Sequence, residues 1–451
     1  MARYELVEGT SSKFWEITLE GASFTTCYGR IGTDGQSTTK EWKSEAEAKK
    51  QYDKLVAEKT KKGYELAEGG DDEDGDEGDG DDEEGGGASN AALEKAIYAD
   101  PDSPDGYLVY GDWLQGQDDP LGEFVAVQAA FAALPSPKLK AKSEELLGEH
   151  EDEWLGEDLS ALKESDELTC SWRYGFLEKL AMGGDEGSES KGVEAYEALA
   201  KCRVAKFLRD LEINVFDAED GDPDYQPTID VMAKLGLPKA LRRLAFDVKS
   251  FQISWAHLGD ISKLYPQLKK LEELRIAFGD MKLGKIDLPA LKKLEIITGG
   301  LDKATLGAVS TAKWPNLETL TLYFGDDSYG GDCTADDLEQ IFSGKSIPNV
   351  KHLGLCNAHF QDDIARGMAG SKVLAQLHTL DLSKGTMGDD GAQAILDNAT
   401  GFKRLLRLEL TENYISEAMA EKLKSAFGDR VDVGNQGDGA DPDDRYVQIS
   451  E

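Results

Sequence analysis

The chain reads as a multidomain α+β and α/β protein: a small sheet-plus-helix domain, an acidic disordered linker, a helical segment, and a solenoid of strand-plus-helix repeats. Three observations predict this. The hydrophobic period changes from two to between three and four within residues 13–56. Residues 69–87 contain only Gly, Asp and Glu. From residue 208 onward one leucine template recurs eight times.

In the first segment, residues 13–19 alternate as a half-buried strand does, Glu20-Gly21 is a turn, and residues 24–31 read as a second strand. Residues 32–35 turn again, and residues 37–42 read as a third strand. Ser44-Glu45-Ala46-Glu47 has the form of a capping box. The helix it opens carries Ala48, Tyr52, Leu55 and Val56 on one face. The linker that follows cannot bury apolar surface and repels itself, so it predicts an extended tether. The tail from about residue 434 is similarly polar, with Tyr446-Val447-Gln448-Ile449 as a stretch able to dock. The expected boundaries are therefore 1–66, a linker at 67–90, a helical segment at 91–185, repeats at 190–434, and a tail at 435–451.

After the linker, residues 91–99, 106–114, 122–134 and 139–154 read as helices, in a segment that is mostly helical to about residue 165. The repeat then runs Leu208/Leu211/Ile213, Leu241/Leu244/Phe246, Leu271/Leu274/Ile276 and Leu291/Leu294/Ile296. It continues as Leu317/Leu320/Leu322, Val350/Leu353/Leu355, Leu377/Leu380/Leu382 and Leu405/Leu408/Leu410. The spacings are 33, 30, 20, 26, 33, 27 and 28 residues, with amphipathic helical stretches between, such as 334–342 and 389–397. One unit cannot bury its own leucines, whereas a stack of units forms a continuous core. The 20-residue unit has no room for a full helix.

The pattern resembles the longer, helix-containing leucine-rich repeats of the ribonuclease-inhibitor kind. Asparagine stands in the expected place after the motif at Asn413 and one residue early at Asn357, while Gly385 replaces it in the seventh unit. The resemblance implies a concave strand face for a protein partner. On it would lie Arg243, Arg275, Glu295, Thr321, Tyr323, His352, Asp381 and Glu409, a mixed-charge surface suited to protein rather than nucleic acid. His352 and Cys356 would share that face, but four residues of strand span roughly 13 Å, too far to share one ion or proton.

Tyr28-Gly29-Arg30-Ile31-Gly32-Thr33-Asp34-Gly35, with Phe14-Trp15 upstream and Lys61-Lys62-Gly63-Tyr64 downstream, resembles the WGR domain over residues 1–66. Arg30 and Gly29 match the family's Arg and Gly, and Tyr28 stands where it has Trp. The resemblance implies a small sheet with a helix and a surface that contacts DNA ends, made here by Tyr28, Gly29, Arg30, Lys40 and Lys43. Tyrosine stacks with less area than an indole. The alternative is structural: a strand end where Gly29 admits a bulge and Arg30 pairs with a carboxylate. No polymerase catalytic segment follows.

Residues 96–102, 106–114 and 119–128 resemble the repeat-companion domain found beside leucine-rich repeats in bacteria, notably myxobacteria and planctomycetes, with Gly111 where that family has Ala. Its implied role is to cap the first repeat. Asp112 and Glu123 within it invite an acid–base reading, but no His, Lys or oxyanion donor is near in sequence, and a local cap or ion pair is the simpler role.

Charge narrows the function further. Of a net charge of -38, residues 1–65 contribute nothing, with 11 Lys/Arg against 11 Asp/Glu. Residues 68–84 hold 12 acids and no base, and the remainder has 39 bases against 65 acids. Only the first segment is electrostatically compatible with a phosphate backbone. Five dispersed cysteines without a CxxC predict free thiols, and the histidines lack zinc spacing. There is no phosphate loop, nucleophile elbow or metalloprotease helix, no apolar run of membrane length, and a charged start. The expectation is a cytoplasmic, non-enzymatic binding protein with no cofactor, metal or small-molecule substrate, taking a protein partner and, through residues 1–66, nucleic acid as the alternative.

Overall fold

The computed structural model describes residues 2–8, 11–20, 23–30, 36–41, 43, 49, 52, 65–66, 89–183, 192–214, 224–248, 253–439, 441 and 444–450. They belong to two compact units, Met1–Asp82 and Glu83–Glu451.

In the first unit the strands are β1 (Ala2–Glu8), β2 (Ser11–Glu20), β3 (Ser23–Arg30), β4 (Gln36–Glu41) and β5 (Glu65–Leu66). They form one antiparallel sheet in the order β4-β3-β2-β1-β5. Three strands were expected and five are present. β1 interleaves Tyr4 and Leu6 with charges, and β5 is two residues long and exists only through its pairing with β1. Phe14, Trp15 and Ile17 of β2 are buried, and the Tyr4 ring lies 5.5 Å from that of Trp15, its register partner. Of the helix expected after Ser44, only Lys49 and Tyr52 are among the described residues, and both are helical. Residues 67–88 of the expected linker lie outside the described residues.

The second unit opens with α1 (Ala91–Ala99), α2 (Pro104–Gln115), α3 (Pro120–Ala133), α4 (Pro137–Leu155) and α5 (Glu157–Glu164). Each of the first four begins at a side-chain cap, Asn90, Ser103, Asp119 or Ser136, and the last three of these carry Pro in the first turn. Two glycines set the packing of α2 on α3. A Cβ at Gly111 would lie 2.8 Å from Val125 Cγ1, and one at Gly122 would lie 2.5 Å from the Gly111 carbonyl oxygen.

Where residues 165–185 were expected to continue a helical segment, the chain makes an antiparallel hairpin of β6 (Leu168–Arg173) and β7 (Phe176–Met182). Its turn is Tyr174-Gly175, both with positive φ. β7 then pairs in parallel with the first repeat strand, so helices and repeats share one core.

The repeat strands are β8 (Asp210–Asn214), β9 (Arg243–Asp247), β11 (Glu273–Ala277), β13 (Lys293–Ile297), β14 (Thr319–Gly325), β15 (His352–Ala358), β16 (Thr379–Asp381), β17 (Arg407–Glu409) and β18 (Val431–Asp432). Two short strands, β10 (His257–Asp260) and β12 (Asp280–Lys282), pair with each other outside the main sheet. In the eleven-stranded sheet each strand lies beside its predecessor in the chain, parallel throughout except for the opening hairpin. Leu180, Leu211, Leu244, Leu274, Leu294, Leu320, Leu353, Leu380, Leu408 and Val431 follow one another in register and are all buried. The third leucine of each template, from Ile213 to Leu410, is fully buried.

Between the strands run α6 (Gly192–Lys201, before β8), α7 (Gln226–Leu235), α8 (Lys303–Thr311), α9 (Glu339–Phe342), α10 (Gln361–Ala369), α11 (Asp389–Asp397), α12 (Ala399–Phe402) and α13 (Glu417–Phe427). The 20-residue unit between β11 and β13 has β12 and no helix, as its length requires. No described helix is long and apolar enough to cross a membrane.

The tail docks through the stretch 446–449 that the sequence marked as able to do so. Its described residues lie against the repeats, with Val447 buried and Gln448 N donating to the Lys384 carbonyl at 3.1 Å.

Candidate interaction surfaces

The motif residues of the first unit occupy the end of β3. In register Tyr28 is opposite Trp15, Gly29 opposite Phe14, and Arg30 opposite Lys13, with no register shift in the pairing. The bulge that the structural alternative allowed at Gly29 is therefore absent from this pairing. The side chains of Tyr28 and Arg30 lie outside the described residues. Lys40, in β4 opposite Phe24, and Lys43 just beyond that strand are exposed.

The alternate positions of the repeat strands form two cross-strand rows. One runs Glu212, Ala245, Arg275, Glu295, Thr321, Gly354, Asp381, Glu409, Asp432. The other runs Asp210, Arg243, Glu273, Lys293, Thr319, His352, Thr379, Arg407. Every residue assigned to this face from the sequence lies in these rows, except Tyr323 and Cys356, which pair with each other two positions along from Thr321 and Gly354.

Three arginines on the face are already paired across strands. Arg243 reaches Asp210 at 2.6 Å and Glu212 at 3.0 Å; Arg275 reaches Asp247 at 2.8 Å and Glu295 at 2.6 Å. Arg407 reaches Glu409 at 2.8 Å and Asp432 at 2.5 Å. A planar guanidinium suits such bridging better than an ammonium. The centre of the face is neutral: Thr319, Thr321, Tyr323, His352, Gly354 and Thr379. Gly354 leaves the row without a side chain there, and an added Cβ would lie 2.8 Å from Thr321 Cγ2. Tyr323 is half-buried, and burial pushes its hydroxyl above the usual tyrosine range. His352 Nδ1 is 2.9 Å from Thr379 Oγ1. Asp381 accepts from its neighbour Ser383 N and has no ion-pair partner among the described residues.

Cys356 lies on the face as expected, opposite Tyr323 in register and with its Sγ 3.3 Å from where a Cβ on Gly354 would stand, but it is covered there. It is fully buried, its thiol donates to the Asp381 carbonyl at 3.7 Å, and burial holds that thiol well above the ordinary cysteine value. A thiol so covered and so firmly protonated is not a nucleophile.

Asp112 and Glu123 take separate roles. Asp112 is exposed on α2, while Glu123 faces Lys142 of α4 at 3.5 Å. What the segment around them does instead is bind the first repeat. Arg203 pairs with Asp119, Lys206 with Glu94 at 2.7 Å, and Arg209 with Asp102 at 2.6 Å, each across more than eighty residues of chain. Beneath these pairs Tyr98, Tyr107, Tyr110, Phe176 and Phe207 pack edge-on and tilted. Sequence reasoning missed this seam because its members come from four separate stretches.

The sequence pattern of the WGR domain matches residues 2–71, so the chain carries a WGR domain at its N-terminus. The uncharacterized protein YfeS of Escherichia coli (strain K12) is 46% identical over 55 residues, 12% of this chain and 22% of that one. The chain thus spans about a fifth of that curated relative. A crystal structure of a Bacteroides fragilis protein, a structural-genomics target, aligns over 100% of this chain and 99% of its own with a TM-score of 0.53 and 23% identity. The likeness is one of fold. The TLR13–ssRNA13 complex aligns over 58% of this chain and 36% of its own, with 13% identity and a TM-score of 0.29, too low to bear on function.

Proposed function

We propose that this is a non-enzymatic scaffold protein: a leucine-rich-repeat solenoid whose concave strand face holds a protein partner, with the WGR domain as a second interaction site and α1–α5 with the hairpin as the solenoid's cap. The observation that carries the reading is the face itself. Its arginines are satisfied internally, its centre is neutral and polar, and Asp381 beside that centre offers a carboxylate to an incoming cation. Fully desolvated centres ringed by charge are where interface energy concentrates. A basic or hydroxyl-rich protein surface fits this arrangement.

The test is affinity capture from lysate with the full chain, comparing wild type with Thr321→Arg and Asp381→Arg, each verified as folded by circular dichroism. The partner captured by wild type should be lost from both variants. An unchanged capture profile would refute the concave-face reading.

The WGR match favours a second reading, in which residues 1–66 contact nucleic acid through Tyr28 and Arg30. Titration of the full chain against blunt and nicked duplexes at several salt concentrations tests it. Binding should weaken steeply with salt and fall with Arg30→Ala. Binding that ignores the substitution, or none at low salt, ends this reading.

A further inference from the structure

The last residues alternate: Arg445 is partly buried, Tyr446 exposed, Val447 buried, Gln448 exposed and Ile449 partly buried. An extended segment with one face against the protein gives this period of two. It runs backwards over the repeats, across the C-terminal ends of β17, β16 and β15 and on to Ser254. Tyr446 N donates to the Tyr414 hydroxyl, and that hydroxyl lies 3.0 Å from the Tyr446 carbonyl. Gln448 N donates to the Lys384 carbonyl. The Asn357 carboxamide donates to the Ile449 carbonyl at 2.6 Å and accepts from Ile449 N at 2.9 Å. Ser254 Oγ donates to the Ser450 carbonyl at 2.6 Å.

All of these bonds engage the main chain of the tail and carry no sequence requirement. Sequence is read at the inward positions. Arg445 donates to the Thr386 carbonyl at 3.3 Å, faces Asp362 at 3.9 Å and lies 6.0 Å from the Tyr414 ring centre. Gly388 makes room for it, since a Cβ there would run into the guanidinium. Asp362 is fixed by the N–H groups of Gly388 and Gly391, both at 2.9 Å.

We propose that these segments form a binding groove for extended peptides of the pattern Arg-x-(β-branched)-x-(β-branched), and that the chain's own tail is its resident, displaceable occupant. Main-chain capture by Asn357 and the 384 carbonyl supplies affinity, as strand addition does, and the Asp362 pocket selects the arginine. The tail is suited to leave. Val447 is its one buried apolar side chain among the described residues, and the segment joining it to β18 is rich in glycine and aspartate. The occupant in trans is an extended segment of a partner protein with the same pattern. This proposal does not depend on the concave-face reading.

The experiment uses a chain ending at residue 439 and a fluorescent peptide of sequence Asp-Arg-Tyr-Val-Gln-Ile-Ser. The truncated chain should bind the peptide, and the intact chain at least tenfold more weakly. Replacing the peptide's Arg by Ala, or Asn357→Gly in the protein, should each weaken binding at least tenfold. Glycine is chosen at 357 because φ there is +56°, where alanine would add strain of its own. If truncation disturbs the fold, the intact chain is cut at a protease site placed in 440–443, and excess labelled peptide should replace the cut tail on gel filtration. A folded truncated chain that ignores the peptide, equal binding of a scrambled peptide, or a cut tail that never exchanges would overturn the proposal.

Discussion

Asn413, Gly385 and Ala358 occupy one structural position, immediately after residues with positive φ: Glu412, Lys384 and Asn357. Asn413 alone uses the position fully. Its amide donates to the carbonyls of Leu382, Leu410 and Thr411, and its oxygen accepts from Met387 N, all but the Thr411 bond buried. Asn357, which in sequence looks like the same asparagine displaced by one, sits at the left-handed position and turns its amide to the tail. Asn413→Ala should cost about 2–4 kcal/mol, because several buried backbone groups lose their partner together. Urea denaturation monitored by circular dichroism measures this, and a cost below about 1 kcal/mol would contradict the role. Gly111 offers a second residue-scale test. Alanine there has no backbone objection, yet its methyl meets Val125, so overpacking of about 1–3 kcal/mol is expected despite alanine's better helix propensity. A neutral or stabilising Gly111→Ala would show that α2 and α3 can separate freely.

At the scale of elements, the leucine template found its strands because each repeat strand has one face buried on both sides by its neighbours. Eight templates correspond to β8, β9, β11 and β13–β17. β18 was not legible: Val431-Asp432 lacks the template and becomes a strand only because β17 presents an open edge. The hairpin β6–β7 was missed for a similar reason, since its pairing with β8 is fixed by a core built from residues far along the chain. The same logic gives a contrast. Leu320 is fully buried mid-sheet, whereas Leu406, between two template positions, is 69% exposed. Leu320→Ala should cost about 2–5 kcal/mol and Leu406→Ala no more than about 0.5 kcal/mol. Parallel denaturation curves check this, and equal costs would place the sheet's buried face wrongly.

Across the whole molecule, the excess of carboxylates and the buried protonated groups act in the same direction at high pH. Burial raises the Cys202 thiol from 9.0 to about 11, the Cys333 thiol from 9.0 to about 12, and the Tyr98 hydroxyl from 10.0 to about 12. Each binds its proton more tightly folded than unfolded. Their contribution is complete below the unfolded values and is lost as pH rises through 9 toward 12. The net charge of -38 adds self-repulsion that salt screens. Melting temperature should therefore fall from about pH 9 upward and rise between 10 and 150 mM NaCl at pH 7.5. A melting temperature that keeps rising to pH 10.5 would refute the burial of these groups.

The sequence by itself determined that a WGR domain comes first, the strand positions of eight repeats, the helix-free short unit, and the alternation that lines up the cross-strand rows. Those depend on local period and turn chemistry, which a chain carries wherever it goes. Tertiary structure decided the remainder: that the opening hairpin and helices merge with the first repeat, that Cys356 is covered on its face, that arginines on the face are already engaged by neighbouring carboxylates, and that the tail is held by Asn357. Each of these joins residues tens to hundreds apart, so its energy appears only once the chain has brought them together.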